Sequence, residues 1–594
     1  MTAKHRIERR YHGLGVSPGV VRAQVWVKSA SFAEPERYKI ERNEVASERK
    51  RLEDALVETR RQIRALQEEV QESLGSEHAS IFEAHLLVLE DYSVMEEVFQ
   101  RVDTEGINID AALRDVFRKY IEGLRNLHDS YLSERAIDLE DVLRRILRNL
   151  RPSPEDSPGR EMDGDHICPC ILVSHDFTPS EMATIDRNCV KAVATETGSR
   201  TSHVAILALS LNLPAIAGLG ALGGDVKNGD EVLLDGYRGI LIHLPSEATK
   251  KAYEGFEREQ EHLREELATL VDKTSTTEDG YRMILSCNIE FAEEADRVHA
   301  LGGEGVGLYR TEFFYLNRTE LPTEEQLVED YSRVAKICGN DGVIIRTLDA
   351  GGDKIASGLF RKPEANPFLG WRGIRLCLSQ PELFRTQLRA ILRASYGTKV
   401  SIMFPMVCGL EEFRQGKASL ERAKEELRRE GKPFADKIQV GVMVEVPAAV
   451  MIADSLAREA DFLSVGTNDL VQYTLAVDRG NEQVSSLYSP HHPAVLRFLQ
   501  MIAEAARKNG IWAGVCGEMA SDCTAIPLLL GLKLSELSVA PGQLLAVKRV
   551  VRQLNAAECE ALFRECVQME TAVQVKERCV GLARRKYPEL LGAS

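Results

Sequence analysis

Residues 439–469 read QVGVMVEVPAAVMIADSLAREADFLSVGTND, and this stretch decides the fold. QVGVMVEV is a short apolar run, the pattern of a strand covered on both faces. A helical segment follows, and FLSVG is a second such run. The same alternation recurs on either side. MILSCNI (283–289), GVGLY (305–309), VIIRTLD (343–349) and VSIMFPM (400–406) come before; WAGVC (512–516) and ELSVA (536–540) come after. Eight β units alternating with helices predict a (β/α)8 barrel over residues 276–594.

Residues 246–275, rich in Lys, Glu and Leu, read as a polar linker helix. Before them CILVS, VKAVAT and EVLLDGYRGILIHL read as strands, and so does GLGVSPGVVRAQVWV on either side of a Ser17-Pro18-Gly19 turn. Between these lies helical sequence. Leu52, Leu56, Ile63, Leu66 and Val70 share one helix face. Gly75 ends that run, and Ser76 caps a second helix through Ile81, Phe82, Leu86 and Leu89. Further helices cover about 110–124 and 131–150, before the loop RPSPEDSPGR (151–160). The chain is therefore read as α/β multidomain. Residues 1–29 and 151–245 form an α/β domain, 30–150 an inserted helical subdomain, 246–275 the linker and 276–594 the barrel.

Bulk composition narrows the function. A chain of 594 residues is too long for one core. Its 44% hydrophobic and 28% charged residues are ordinary for a folded protein. A net charge of −16 with dispersed Lys and Arg argues against nucleic acid and suits a basic protein surface. No stretch is apolar enough to insert in a membrane, and MTAKHRIERRYHG lacks the core of a signal peptide. The twelve cysteines are scattered. Cys168 and Cys170 flank a proline, but no second close pair completes a zinc site. Reduced thiols in the cytoplasm are expected.

Catalytic groups of such barrels sit where strands end. Arg310 closes GVGLY; Arg346 lies in VIIRTLD, with Asp349 and Gly351-Gly352 after it. Glu445 ends QVGVMVE, Asn468 and Asp469 follow FLSVG, and Arg479 comes a short loop later. Cys516 ends WAGVC before Gly517 and Glu518, while Lys354 and Arg372 add positive charge in the third unit's long loop. Arginine forks hold carboxylate and phosphate oxygens. Magnesium takes one or two carboxylates, here Glu445 and Asp469, and completes its shell with water and substrate oxygens. The set describes a site for a small, highly anionic ligand, with Cys516 placed to give a proton to a carbanion-like carbon.

A second motif is GSRTSHVAILALSLNLPAIAG (198–218). Thr201 or Ser202 caps a helix, and His203 falls in its first turn, where a phosphate meets free amides and the positive dipole end. Arg200 adds a charge-assisted donor. An imidazole nitrogen is a nucleophile near neutral pH and forms a labile phosphoramidate.

GSRTSHVAI, GLYRTEFFYL, RTLDAGGDK, NPFLGWRGIR, MVEVPAA, GTNDLVQYTLAVDRGN and GVCGEMA together resemble, in order and spacing, the motifs of enzyme I of the bacterial sugar phosphotransferase system. The resemblance runs from GVSPGV to the end of the barrel. It implies that the α/β domain is a swivelling phosphohistidine domain. His203 would take phosphate at Nε2 from phosphoenolpyruvate and pass it to the carrier protein HPr, releasing pyruvate. Arg310, Arg346, Asn468, Asp469 and Arg479 would bind phosphoenolpyruvate, Glu445 and Asp469 would hold Mg2+, and Cys516 would protonate the enolate. The helical insert would dock HPr, and the barrel would form a homodimer.

Two positions depart from the family. Ser199 replaces a glycine before Arg200, and Met182 stands where members can place a threonine that hydrogen-bonds the active histidine; Thr184 is the nearest substitute. A pyruvate phosphate dikinase or phosphoenolpyruvate synthase would need a large ATP-binding domain and tends to carry Cys before the histidine. A nitrogen-regulatory paralogue would add an N-terminal sensory domain, not expected before GLGVSPGV. A non-catalytic docking protein would not require Glu445, Asp469, Cys516 and the arginines together. His78 and His85, seven apart, and the pair His491-His492 are read as packing or docking surface.

Overall fold

The computed structural model describes residues 8–28, 36–74, 81–90, 92–125, 130–150, 168–198, 203–211, 213–222, 225–315, 321–351, 364, 366–479, 481 and 483–591. The chain forms two compact units, residues 1–260 and 261–594.

The first unit carries strands β1 (Arg9–His12), β2 (Leu14–Ser17), β3 (Val20–Val27), β4 (Cys170–Ser174), β5 (Val190–Thr195), β6 (Ala215–Ala217), β7 (Glu231–Asp235) and β8 (Ile240–His243). They form one sheet in the order β1-β8-β7-β3-β4-β5-β6-β2. β3 to β6 run parallel at its centre; the flanking pairs are antiparallel. The strand–turn–strand reading of the opening motif corresponds to β2 and β3. β1 and β6 were not read from the sequence.

Between β3 and β4 lie the helices Val45–Leu74, Ile81–Glu90, Tyr92–Glu105, Ile109–Arg125 and Ser130–Leu150. Their apolar faces close on one another: Leu52, Ile63, Phe82, Val98, Phe117 and Ile146 are fully buried in one cluster. Gly75, Ser76 and His78 fall outside the described residues. His85 lies in the core, its Nε2 3.3 Å from Asp138 Oδ1, in keeping with a packed face. The polar helix expected over 246–275 spans Glu247–Ala268 and buries only Thr249 and Tyr253.

The second unit is a closed barrel of eight parallel strands: β9 (Ile284–Ile289), β10 (Val306–Tyr309), β11 (Val343–Arg346), β12 (Val400–Phe404), β13 (Gln439–Val444), β14 (Phe462–Val465), β15 (Trp512–Val515) and β16 (Glu536–Val539). Each matches one run read from the sequence. These strands are apolar without alternation because both faces are covered; every residue of β10, β12 and β14 is buried. The outer core includes Leu285, Ile345, Val442, Leu463 and Leu537. A second cluster joins Leu308, Ile344, Met403, Met443, Phe462 and Cys516. The Phe462 ring stacks on Trp512 with centroids 4.5 Å apart. Gly441 leaves room for that ring, since a Cβ there would collide with it. The layered filling makes the barrel a packed core and sends function to its rim.

Candidate functional site

Three barrel strands deliver a carboxylate to one place. Asp349 follows β11, Glu445 follows β13, and Asp469 lies in the first turn of the helix Thr467–Leu475 after β14. One carboxylate oxygen from each lies within 4.8 Å of the others. All three are buried. Glu445 Oε1 accepts the backbone N–H of Met406 at 2.6 Å. Burial, then the neighbouring Asp349 and Asp469, pushes the Glu445 carboxyl well above the ordinary range.

Two arginines answer this charge. Arg372 Nη2 donates to Asp349 Oδ2 (2.9 Å) and to Asp469 Oδ2 (3.0 Å). Arg346 reaches Asp349 Oδ2 through Nη1 at 3.0 Å and Glu312 Oε1 through Nη2 at 2.9 Å. Burial opposes the charge on both guanidiniums, yet the surrounding carboxylates hold both above the usual value. Arg346 Nε is buried and finds no hydrogen-bond partner among the described residues. A buried, unpaired guanidinium N–H favours an anionic oxygen as its partner.

Cys516 directly follows β15 and is 3% exposed. Its Sγ lies 3.6 Å from the Val465 carbonyl oxygen, to which it donates. Burial pushes this thiol up to about 11, against a hydrogen bond to Ser464 and the charge of Arg346. It is therefore a protonated thiol at neutral pH, the form an acid needs. Cys516 and Arg310 line a cavity of about 250 Å³ with Asn288, Glu290, Gly517 and Glu518. Arg310 pairs with Glu290 across it.

Asn468 ties two strand-end loops together. Its Nδ2 donates to Glu518 Oε1 at 3.1 Å, and its Oδ1 accepts the Glu518 N–H at 2.8 Å. Arg479 Nη1 stands 3.7 Å from the same Glu518 Oε1. So the barrel residues read from sequence fall into three contiguous groups: Arg346, Arg372, Glu445 and Asp469; Arg310 and Cys516; Asn468 and Arg479. Lys354 lies outside the described residues.

Two members were not assigned from sequence. Asp349 was noted at its strand end but not as a third carboxylate, because only the fold brings it to Glu445. Glu312 holds Arg346 and also accepts the Asp349 N–H at 2.9 Å. Its only trace is a carboxylate two residues after Arg310 in YRTEFF.

In the first unit His203 is the first residue of the helix His203–Ser210. Ser199, Arg200, Thr201 and Ser202 lie outside the described residues. Met182 is fully buried, and Thr184 donates its hydroxyl to the Ser180 carbonyl at 3.0 Å, a bond local to its own turn. His491 is buried with Nε2 3.1 Å from Thr524 Oγ1, while His492 Nδ1 caps the helix Pro493–Lys508. Neither histidine reaches the carboxylates.

Residues 264–556 match the family model described as PEP-utilising enzyme, PEP-binding domain. Residues 12–135 match the N-terminal model and residues 168–239 the mobile-domain model of the same enzymes. The chain is 41% identical over 569 residues to a phosphoenolpyruvate-protein phosphotransferase of Priestia megaterium, covering 96% of this chain and 98% of that protein. It is 40% identical over 565 residues to the protein of that name from Bacillus subtilis, covering 95% and 98%. Among solved structures, a solution structure of Enzyme I (nEIt) is 34% identical with a TM-score of 0.34, covering 42% of this chain and 99% of that one.

Proposed function

The chain belongs to the phosphoenolpyruvate-protein phosphotransferase family, and from that premise we propose how its residues divide the reaction. It is an enzyme that takes the phosphoryl group of phosphoenolpyruvate and transfers it to protein. His203 is the carrier. Its Nε2 attacks phosphorus, the bond to the enol oxygen breaks, and the enolate leaves. The Cys516 thiol gives its proton to the methylene carbon, yielding pyruvate, and the thiolate recovers a proton from solvent. Phosphate then passes from His203 to a histidine of HPr, docked on the helices of residues 45–150.

Arg310, Arg346, Arg372, Lys354, Asn468 and Arg479 bind and orient the ligand. Their role is positioning and charge neutralisation, which dominate phosphoryl transfer. Arg346 supplies the unpaired Nε, and Glu312 fixes its fork. The carboxylate set fits Mg2+, a hard cation that takes oxygen ligands. Glu445 and Asp469 would hold it, with Asp349 beside them; it would neutralise phosphate and enolate oxygens. Among the described residues no helix is long and apolar enough to cross a membrane. We place the protein in the cytoplasm and assign homodimerisation to the barrel.

The observation that carries this reading is the convergence of three carboxylates and two largely buried arginines near the buried Cys516 thiol at one barrel rim. Glu445→Ala tests it. Transfer from phosphoenolpyruvate is expected to be lost, while exchange between His203 and phospho-HPr persists. Loss of both reactions in a folded variant would remove the metal role.

A further inference from the structure

Three thiols meet at the start of the two central parallel strands of the first sheet, away from the groups assigned above. Cys170 opens β4, and its N–H donates to the Cys189 carbonyl at 2.9 Å. Cys189 directly precedes β5, so the two residues lie side by side across the strand pair. The thiols of Cys168 and Cys170 are the neighbouring side chains that act on the Cys189 thiol. Cys170 and Cys189 are buried, at 2% and 7% exposure. Cys168 is the only exposed cysteine among the described residues.

We propose that Cys168 and Cys189 form a reversible disulfide, which makes this end of β4 and β5 a hydroperoxide-sensitive site. Cysteines that sense oxidants are accessible and sit beside a resolving thiol, and this pair has that form. Peroxide oxidises the Cys168 sulfur to a sulfenic acid and is itself reduced to water. The Cys189 sulfur then attacks the Cys168 sulfur. The S–S bond forms, the S–O bond breaks, and hydroxide leaves with the Cys189 proton as water. A dithiol reductant returns both thiols.

The alternatives are weaker on the same geometry. Among the described residues the grouped ligand atoms are those of Asp349, Glu445 and Asp469, so the three sulfurs do not converge as a metal centre. Cys566 and Cys579 also touch, but both are fully buried in the barrel's core cluster, out of reach of solvent oxidant. Cys189 is buried and Cys168 is exposed, so Cys168 meets the oxidant first. Cys170 and Cys189 share a core cluster with Val204, Leu207 and Ala208 of the helix that begins at His203. The cross-link therefore strengthens the floor on which that helix rests.

The test uses the full chain, reduced, desalted and exposed to a limited excess of hydrogen peroxide, then read by intact mass and non-reducing peptide mapping. The expected product has lost the mass of two hydrogens, is restored by dithiothreitol, and maps to Cys168–Cys189. Cys168→Ser, an exposed change outside the catalytic groups, is expected to lose this product and keep wild-type phosphotransfer. Cys189→Ala is expected to leave Cys168 as a dimedone-trappable sulfenic acid. The proposal is overturned if wild type stops at oxygen adducts, if the link maps to another pair, or if Cys168→Ser forms the same link at the same rate. Because Cys168 is exposed, the Ser variant decides the matter even if the Cys189 change disturbs the core.

Discussion

At Cys516 burial keeps a thiol protonated, held up to about 11, beside arginines that attract an anion. The pairing suits an acid that must hold its proton until an enolate forms next to it. Cys516→Ala is expected to lower the rate of pyruvate formation about 10²–10⁴-fold, the usual worth of a positioned acid. Affinity for phosphoenolpyruvate, measured by calorimetry, is expected to change little, because the arginines and Asn468 are untouched. An unchanged turnover would remove Cys516 from the chemistry. The residues at this scale were unevenly legible. Glu445 and Cys516 each end an apolar run and Asp469 follows one closely, so their strand-end positions could be read directly. Glu312 could not, since its role depends on Arg346 from the next strand pointing at it. Thr184 shows the converse: a plausible hydroxyl near the histidine motif is occupied by its own helix turn.

Elements were legible where burial leaves a pattern. The barrel strands are covered on both faces, so each writes itself as a short unbroken apolar run. β1 is an edge strand of sequence RRYH and β6 has only three residues after Pro214, so neither carries that signature. The helix Tyr92–Glu105 did leave one: Val94, Met95, Val98 and Val102 fall on a single face and are buried, but the run was not assigned. Between β10 and the helix Glu324–Cys338, the buried Tyr309 donates its hydroxyl to Oδ2 of the half-buried Asp330. Burial raises the Asp330 carboxyl from 3.8 to about 6, against the Tyr309 hydrogen bond. The folded state thus holds this proton more tightly than the unfolded chain. The stabilisation it gives is complete below about pH 4 and is lost as pH rises through about 6. Asp330→Asn cannot titrate, so its melting temperature relative to wild type is expected to rise between pH 4 and 7. Parallel profiles for the two proteins would contradict the assignment.

For the whole molecule, the sequence reading and the fold meet in a division of labour. A parallel barrel gathers the ligand-binding charge, and a separate unit carries a histidine at the head of a short helix. Relatives at about 40% identity over nearly their full length bear the name of the same reaction. A net charge of −16 with dispersed Lys and Arg suits a protein acceptor and disfavours nucleic acid. On the proposed reading His203 accepts phosphate directly from phosphoenolpyruvate. Intact-protein mass spectrometry after incubation with phosphoenolpyruvate and Mg2+, beside a His203→Ala control, tests it most directly. Wild type is expected to carry a single acid-labile phosphate and the control none. No phosphate on wild type at any Mg2+ concentration, or an equal adduct on the control, would contradict it.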